Sequence, residues 1–372
     1  MSATPESAVP TPAAAAANEA TLAEADEATL PLADGAVLAT ADATTARAAR
    51  RTVAGNDAGP AISVIIPVYN GATLVGQAID SALAQTLAPL EVIVIDDGSA
   101  DGTSAVLASY GPRIRHLTIA HGGVSRARNA GIAISHGALL AFLDADDIWH
   151  PDKLARQAAA MAQHPQAGLC CCDYQVLHRE RDTLVSHFAA ALPLAGLPSQ
   201  PGLLVTALPA LLSCNFVGTA SNVMLRRPLT ALTGGFDPQL RQAEDYDYWL
   251  RCALHAPILV LPELLLEKRS HDANLTGHAL ETEQYHEQVL LKWRASGLLP
   301  EHARPLLPAA LSRVRYRIAR QHSLGGRAGG ALRYCLRGWN ADHSFDNLRM
   351  AARTLARCLL HLLAARRQAP GA

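Results

Sequence analysis

Three carboxylates crowd four positions at Asp144, Asp146 and Asp147, directly after the apolar run Ala138 to Leu143. Carboxylates this close repel one another, and each is costly to bury unpaired. A divalent cation among them removes that cost, and Mg²⁺ or Mn²⁺ prefers oxygen ligands of this kind. Such ions keep open positions for phosphate oxygens. The plain alternative is a solvated acidic turn capping the helix that starts near Pro151. Two more acidic pairs stand out, Asp96-Asp97 and Glu244-Asp245. From Asp245 onward Trp249, Leu250 and Ala253 fall at helical spacing. Glu244 and Asp245 therefore lie at a helix N-terminus, where the dipole favours an ionised carboxylate. An ionised, accessible carboxylate can act as a general base; a helix cap is the bland reading. Arg126 and Arg128, followed by Asn129, are candidate anion ligands, with a solvated helix face as the ordinary reading.

These residues need strands to aim them. Ile62 to Val68, Leu90 to Ile95 and Ala138 to Leu143 are apolar runs of strand length, and Ile114 to Ile119 reads as a further strand. Thr73 to Ala84 (with Thr73 as N-cap), Asp101 to Ser109 and Val124 to Ser135 have helical spacing. Strands that are apolar throughout, alternating with helices, predict a parallel sheet covered on both faces. Ligands of such sheets sit beyond the carboxyl ends of the strands. Tyr69-Asn70, Asp96-Asp97 and Asp144 to Asp147 should therefore converge. Further on, Leu154 to Gln163 reads as a helix and Gly168 to Tyr174 as a strand; residues 175 to 212 read as irregular. No GxGxxG follows the first strand and no GxxxxGK[ST] occurs. That argues against a dinucleotide fold and a phosphate-loop NTPase.

The totals set outer limits. Lys and Arg number 32 against 33 Asp and Glu, which gives no overall drive toward nucleic acid. Seven Cys, three of them consecutive at Cys170 to Cys172 and none in CxxC spacing, predict reduced, buried thiols. No signal peptide is visible and no uncharged apolar run reaches the roughly 18 residues of a span. The expectation is a cytoplasmic protein. Residues 1 to 59 are Ala-rich with few large apolar residues, and read as a disordered tail. Residues 281 to 372 read as helical and Arg-rich. From 301 on, 13 Arg and no Lys stand against Glu301, Asp342 and Asp346. This stretch is either a packed helical appendage with solvated Arg or a basic amphipathic surface for an anionic membrane. Nucleic acid is disfavoured, because no aromatic ladder accompanies the arginines.

In order and spacing, ISVIIPVYNG, VIVIDDGSADGT, GGVSRARNAGI, LLAFLDADDIWHPDKL and GGFDPQLRQAEDYDYWLR resemble the family 2 inverting glycosyltransferases, over about residues 62 to 275. The resemblance implies a GT-A fold: α/β, with a mostly parallel sheet covered by helices on both faces. A nucleotide half (60–165) and an acceptor half (166–280) would precede the helical C-terminal extension (281–372). It implies that Pro67, Val68 and Tyr69, with Asp96 and Asp97, cradle a uridine-type base and ribose, Asp97 making the base contact. Arg128 would lie near the pyrophosphate. Asp146 would ligate Mn²⁺ or Mg²⁺ with Asp144 nearer the ribose, and His271 would contact metal or diphosphate. Asp245 would be the catalytic base. His121 departs from the Asn that many relatives carry there. The implied activity is metal-dependent, inverting transfer of a hexose from a nucleotide-sugar donor (a UDP-sugar). The acceptor would be a saccharide, lipid-linked or other hydroxyl, in cell-surface polysaccharide or glycoconjugate synthesis. The site would lie in the cytoplasm, with the basic helices touching the inner face of the membrane. The alternative is a non-catalytic nucleotide-sugar-binding scaffold, which has no use for a base at Asp245. A nucleotidyltransferase would need a Gly-, Arg- or Lys-rich loop after the first strand, which PVYNGAT does not supply.

Overall fold

The computed structural model describes residues 60–178, 181–189, 191, 196–270, 279–343, 349, 351–353 and 355–356. The expected tail 1–59 and His271 lie outside the described residues. β1 (Ile62–Val68) is buried along its whole length. Its side chains alternate: Val64, Ile66 and Val68 pack with Val75 and Ile79 of α1 (Val75–Leu83), whereas Ile65 packs with Ile132 of α3 (Val124–Ile134). That period of two explains an apolar strand with both faces covered. β2 (Glu91–Asp96), β3 (Arg115–Thr118) and β4 (Leu139–Phe142) join it in the order β3-β2-β1-β4, all parallel. α2 (Thr103–Ser109) links β2 to β3. Strand order reverses between β1 and β4, the switch point outside which open α/β sheets bind ligands.

Pro67 marks that opening. Leu139 and Leu143 donate N–H bonds to the carbonyls of Ala61, just before β1, and Ile65, so the odd-numbered residues turn their main chain toward β4. Pro67 follows in the same register, past the end of β4. Its missing N–H therefore costs no ladder bond there, and the two strands are free to diverge.

Beyond β4 the sheet becomes mixed. β9 (Val223–Arg226) runs antiparallel to both β4 and β6 (Leu169–His178), and β6 runs parallel to β10 (Ile258–Ser270). β5 (Ile148–Trp149) pairs with β10 at Leu266 and Glu267, which ties the acidic loop to the mixed part of the sheet. β7 (Arg181–Ser186) pairs with β6, and β8 (Gly202–Leu204) with β10. α4 (Lys153–Gln163), α5 (Ala207–Ser213), α6 (Arg227–Thr233) and α7 (Glu244–His255) complete this part. The fold class is the one expected. Residues 175 to 212 are more regular than their composition suggests, holding the end of β6, then β7, β8 and α5. β7 folds back on β6 as a hairpin, and β8 is held by Ile258 to Val260 of β10, a distant partner that local pattern does not reveal. Thr73 is not a cap: α1 starts at Val75, and the N–H groups of Leu74 and Val75 bond to Gly71 O. Cys170 and Cys172 face the core on one side of the sheet and Cys171 the other, all as free thiols.

The C-terminal helices α8 (Ala279–Ser296), α9 (Leu306–Leu324) and α10 (Ala328–Trp339) follow. Val289, Leu290 and Trp293 of α8 and Leu311, Val314 and Ile318 of α9 belong to the same buried cluster as Phe142 and Trp249. Asp247, fully buried on α7, accepts bonds from Lys292 Nζ (2.8 Å) and Trp293 Nε1 (3.0 Å). Arg315 on α9 pairs with Glu287 on α8 (2.6 Å) in the interior. No described helix is long and apolar enough to cross a membrane.

Candidate active site

Three strand ends and one helix start meet at the β1/β4 opening. After Val68 the chain turns through Asn70 at a left-handed φ of 49°. Asn70 N–H donates to Ser99 Oγ (2.8 Å), and Asn70 Oδ1 accepts from Ala100 N–H (2.9 Å). The ends of β1 and β2 are thus laced together. Tyr69 is half exposed, and its ring stacks on His121 at 4.1 Å. Asp96 is buried and accepts from Ser99 N–H (2.9 Å). Asp97, also buried, accepts from Gly122 and Gly123 N–H (2.8 Å each), with His121 Nδ1 3.0 Å from Oδ2. The Asp97 carboxylate therefore shapes the loop entering α3. Gly98 at φ 74° makes this approach feasible; a Cβ there would lie 2.9 Å from His121 N.

Arg126 is exposed and Arg128 is buried on α3. Arg128 is not a solvated face residue. Its Nη2 meets Asp144 Oδ1 (2.7 Å), its Nη1 meets Glu244 Oε1 (2.6 Å), and its guanidinium lies over Phe236. Asn129 Nδ2 donates to Phe236 O and its Oδ1 accepts from Phe236 N–H (2.8 Å each), fixing the Gly234 to Asp237 loop. α3 thereby ties the acidic loop to the Phe236 loop and the start of α7.

The acidic loop separates its carboxylates. Asp144 faces Arg128, which with burial opposed holds its carboxyl below the usual range. Asp147 turns inward, accepting from Ser221 Oγ (2.6 Å) and Arg269 N–H (3.3 Å). Burial, with Asp146 beside it, pushes Asp147 up to about 8. It is not the helix cap that the sequence left open. Asp146 is half-buried, and its carbonyl accepts from Arg269 Nε (2.5 Å). Ser221 donates to Asp147 and accepts from Asp144 N–H (3.0 Å), so it braces the loop from the turn that precedes β9.

Ala243 at φ 58° makes a sharp left-handed turn before α7. Such a conformation is strained for a residue with a Cβ. It delivers Glu244 to Arg128 and leaves Asp245 half-buried beside it. Burial raises the Asp245 carboxyl above its ordinary value, against Arg128 and Lys268. Desolvation outweighs the helix dipole here, contrary to the expectation from position alone.

The sequence reading assigned no role to Ser221, Glu244's partnership with Arg128, Lys268 or Arg269. Lys268 and Arg269 did carry a signal, two adjacent cations near the end of a largely apolar strand. Among the described residues, no cluster of three or more His, Cys, Asp or Glu is arranged as a metal cage. Asp144 is held by Arg128 and Asp147 by Ser221; Asp144 and Asp146 are both half-buried, whereas Asp147 is buried. This set fits a hard cation held largely by phosphate oxygens and water, with one or two carboxylates.

The sequence profile of Glycosyl transferase family 2 matches residues 63–193. An uncharacterised glycosyltransferase of Rickettsia typhi is 32% identical over 232 residues, 62% of this chain and 70% of the relative. Among solved structures, Staphylococcus aureus TarS 1–349 in complex with UDP-GlcNAc aligns at a TM-score of 0.51, with 16% identity, over 74% of this chain and 89% of that one. The mannosyltransferase PcManGT from Pyrobaculum calidifontis, in complex with GDP-Man and Mn²⁺, aligns at 0.50, with 20% identity, over 86% and 93%. The structural likenesses give the GT-A architecture and the sequence relatives give the family: this chain belongs to glycosyl transferase family 2.

Proposed function

We propose that this glycosyltransferase moves a hexosyl group from a UDP-sugar to an acceptor hydroxyl, with inversion at C1. What supports the reading most directly is Arg128. Its paired contacts with Asp144 and Glu244 bring the acidic loop and the Glu244-Asp245 helix start to one opening. The UDP-GlcNAc held by TarS, a protein of similar fold, supports a uridine nucleotide. In this reading Tyr69 offers its exposed face to the base, and Asp96 and Asp97 hold the loops that frame it. Pro67 and Val68 form the floor where β1 parts from β4.

Asp245 takes the proton of the acceptor hydroxyl as that oxygen attacks C1. The bond from C1 to the diphosphate breaks, and its electron pair leaves with the nucleoside diphosphate. A carboxyl raised by burial suits proton removal near neutral pH. Asp146, with Asp144 beside it, would hold Mg²⁺ or Mn²⁺; the cation supplies positive charge to the leaving diphosphate. Arg128 keeps Asp144 ionised and in place. The solvent face of α10 carries Leu332 and Leu336 beside Arg333 and Arg337, which supports peripheral contact with an anionic membrane.

The test is Asp245→Asn. Transfer should fall about 10²- to 10⁴-fold, while UDP binding measured by calorimetry stays within about twofold of the parent. Transfer at the parent rate would remove Asp245 from the role of base.

A further inference from the structure

Lys268 is a site cation to which the sequence assigns no task. It lies on β10, between two residues that fix its setting. Glu267 pairs with Ile148 of β5. Arg269 donates its N–H to Asp147 Oδ1 (3.3 Å), its Nε to Asp146 O (2.5 Å) and its Nη1 to Gln77 Oε1 (2.6 Å). Alternation along the strand turns Lys268 to the face opposite Arg269. Lys268 stands level with Val176 of parallel β6, two residues from Tyr174, so Lys268 and Tyr174 share a face of the sheet. Burial opposes the charge of the Lys268 ammonium, but the electrostatic influence of Tyr174, Asp147, Asp144 and Asp245 outweighs it and raises its proton affinity. Those carboxylates come from both walls of the opening, the acidic loop and the start of α7.

Tyr174 is itself held in one orientation. His187 Nε2 faces the carbonyl of Phe216 (2.9 Å). A carbonyl only accepts, so Nε2 carries the proton. Burial keeps the imidazole neutral, which makes Nδ1 an acceptor. The Tyr174 hydroxyl, 3.0 Å away, therefore donates to Nδ1. Its oxygen lone pairs remain for a cation. The two rings stack at 4.5 Å, and Gly218 closes over them: a Cβ there would lie 2.4 Å from Tyr174 Oη.

Arg128 forms two short ion pairs and has little freedom to move. Lys268 is a point charge on a flexible stem, shared among several carboxylates and a phenol. A nucleoside diphosphate adds negative charge to a pocket already holding Asp144, Asp146, Asp147, Glu244 and Asp245. We propose that Lys268, steadied by Tyr174 and His187, binds the diphosphate of the donor from the acceptor-half wall, opposite Asp146. The chain thus supplies part of the positive charge on the leaving group from its own backbone of strands. This rests on the reading that the donor is a nucleoside-diphosphate sugar.

The experiment uses the full chain and measures UDP binding by calorimetry and uridine binding by ligand-observed NMR, each with Mn²⁺ and with EDTA. Lys268→Met should weaken UDP at least tenfold in both buffers and leave uridine unchanged; Lys268→Arg should recover part of the loss. Tyr174→Phe keeps the ring and should weaken UDP severalfold with uridine again unchanged, so the proposal stays testable if Lys268→Met folds poorly. Equal losses for UDP and uridine in both variants, or unchanged UDP binding, would overturn it. A parent protein that binds no UDP, GDP or dTDP would instead overturn the donor reading, and Lys268's role with it.

Discussion

Arg128 shows what a single side chain contributes at this site. It is almost fully buried, and both of its carboxylate partners come from elements distant in sequence. Removing one member of a buried ion set leaves the others uncompensated. Arg128→Met should therefore cost about 3–5 kcal/mol, read from urea unfolding, and Arg128→Lys should recover only part, because an ammonium lacks the fork. Asp146 makes the opposite kind of prediction. Asp146→Ala should lower transfer on the order of 100-fold while the protein still gives a cooperative urea transition. EDTA dialysis should lower transfer similarly, with recovery on adding Mn²⁺. Undiminished transfer after EDTA would remove the cation from the reaction.

At the scale of elements, two contacts decide how the sheet is covered. α3 lies so close to β1 that a Cβ on Gly131 would fall 2.4 Å from Ile65 Cγ2. Gly131→Ala should cost about 1–3 kcal/mol through overpacking, and it should shift Arg128 with the helix. α4 buries Lys153 completely, with Nζ on Gln157 Oε1 (2.7 Å) and over the Trp149 ring. Burial lowers Lys153 from 10.5 to about 8. Between those values the unfolded chain holds a proton that the native state has released. Stability contributed by this site therefore rises with pH from about 8 toward 10.5 and is absent below 8. Lys153→Met should be more stable than the parent at pH 7, by about 1–3 kcal/mol. That advantage should shrink toward pH 10 in parallel thermal melts. The buried thiols of Cys170 and Cys172, raised by burial, act in the opposite sense above pH 9 but are common to both proteins.

For the whole molecule, the C-terminal helices share their core with β4, β10 and α7. Trp293 is 1% exposed and bonds to Asp247 beneath the α7 helix that carries Asp245. Trp293→Ala should cost about 3–5 kcal/mol and lower transfer despite its distance from the opening. A chain ending at residue 280 should fail to give a cooperative melt; a cooperative melt at the parent temperature would show that the helices are dispensable.

The apolar strands, their alternation with helices and the acidic strand ends were legible in the sequence because each is a local pattern. A strand buried on both faces must be apolar throughout, as in ISVIIPV, and a loop of carboxylates must stand at its end. The five ordered motifs then fixed the family. Only the tertiary structure decided which carboxylate does what. Arg128 reads as a surface residue until α3 is docked between Asp144 and Glu244. Asp97 has both oxygens on the Gly122-Gly123 loop, and Asp147 lies against Ser221, a residue 74 positions away. Lys268 gains meaning only when β10 is set beside β6 and β5. Charge placement depends on partners remote in sequence, and desolvation, which shifts Asp147 and Asp245 upward, exists only once the chain has folded around them.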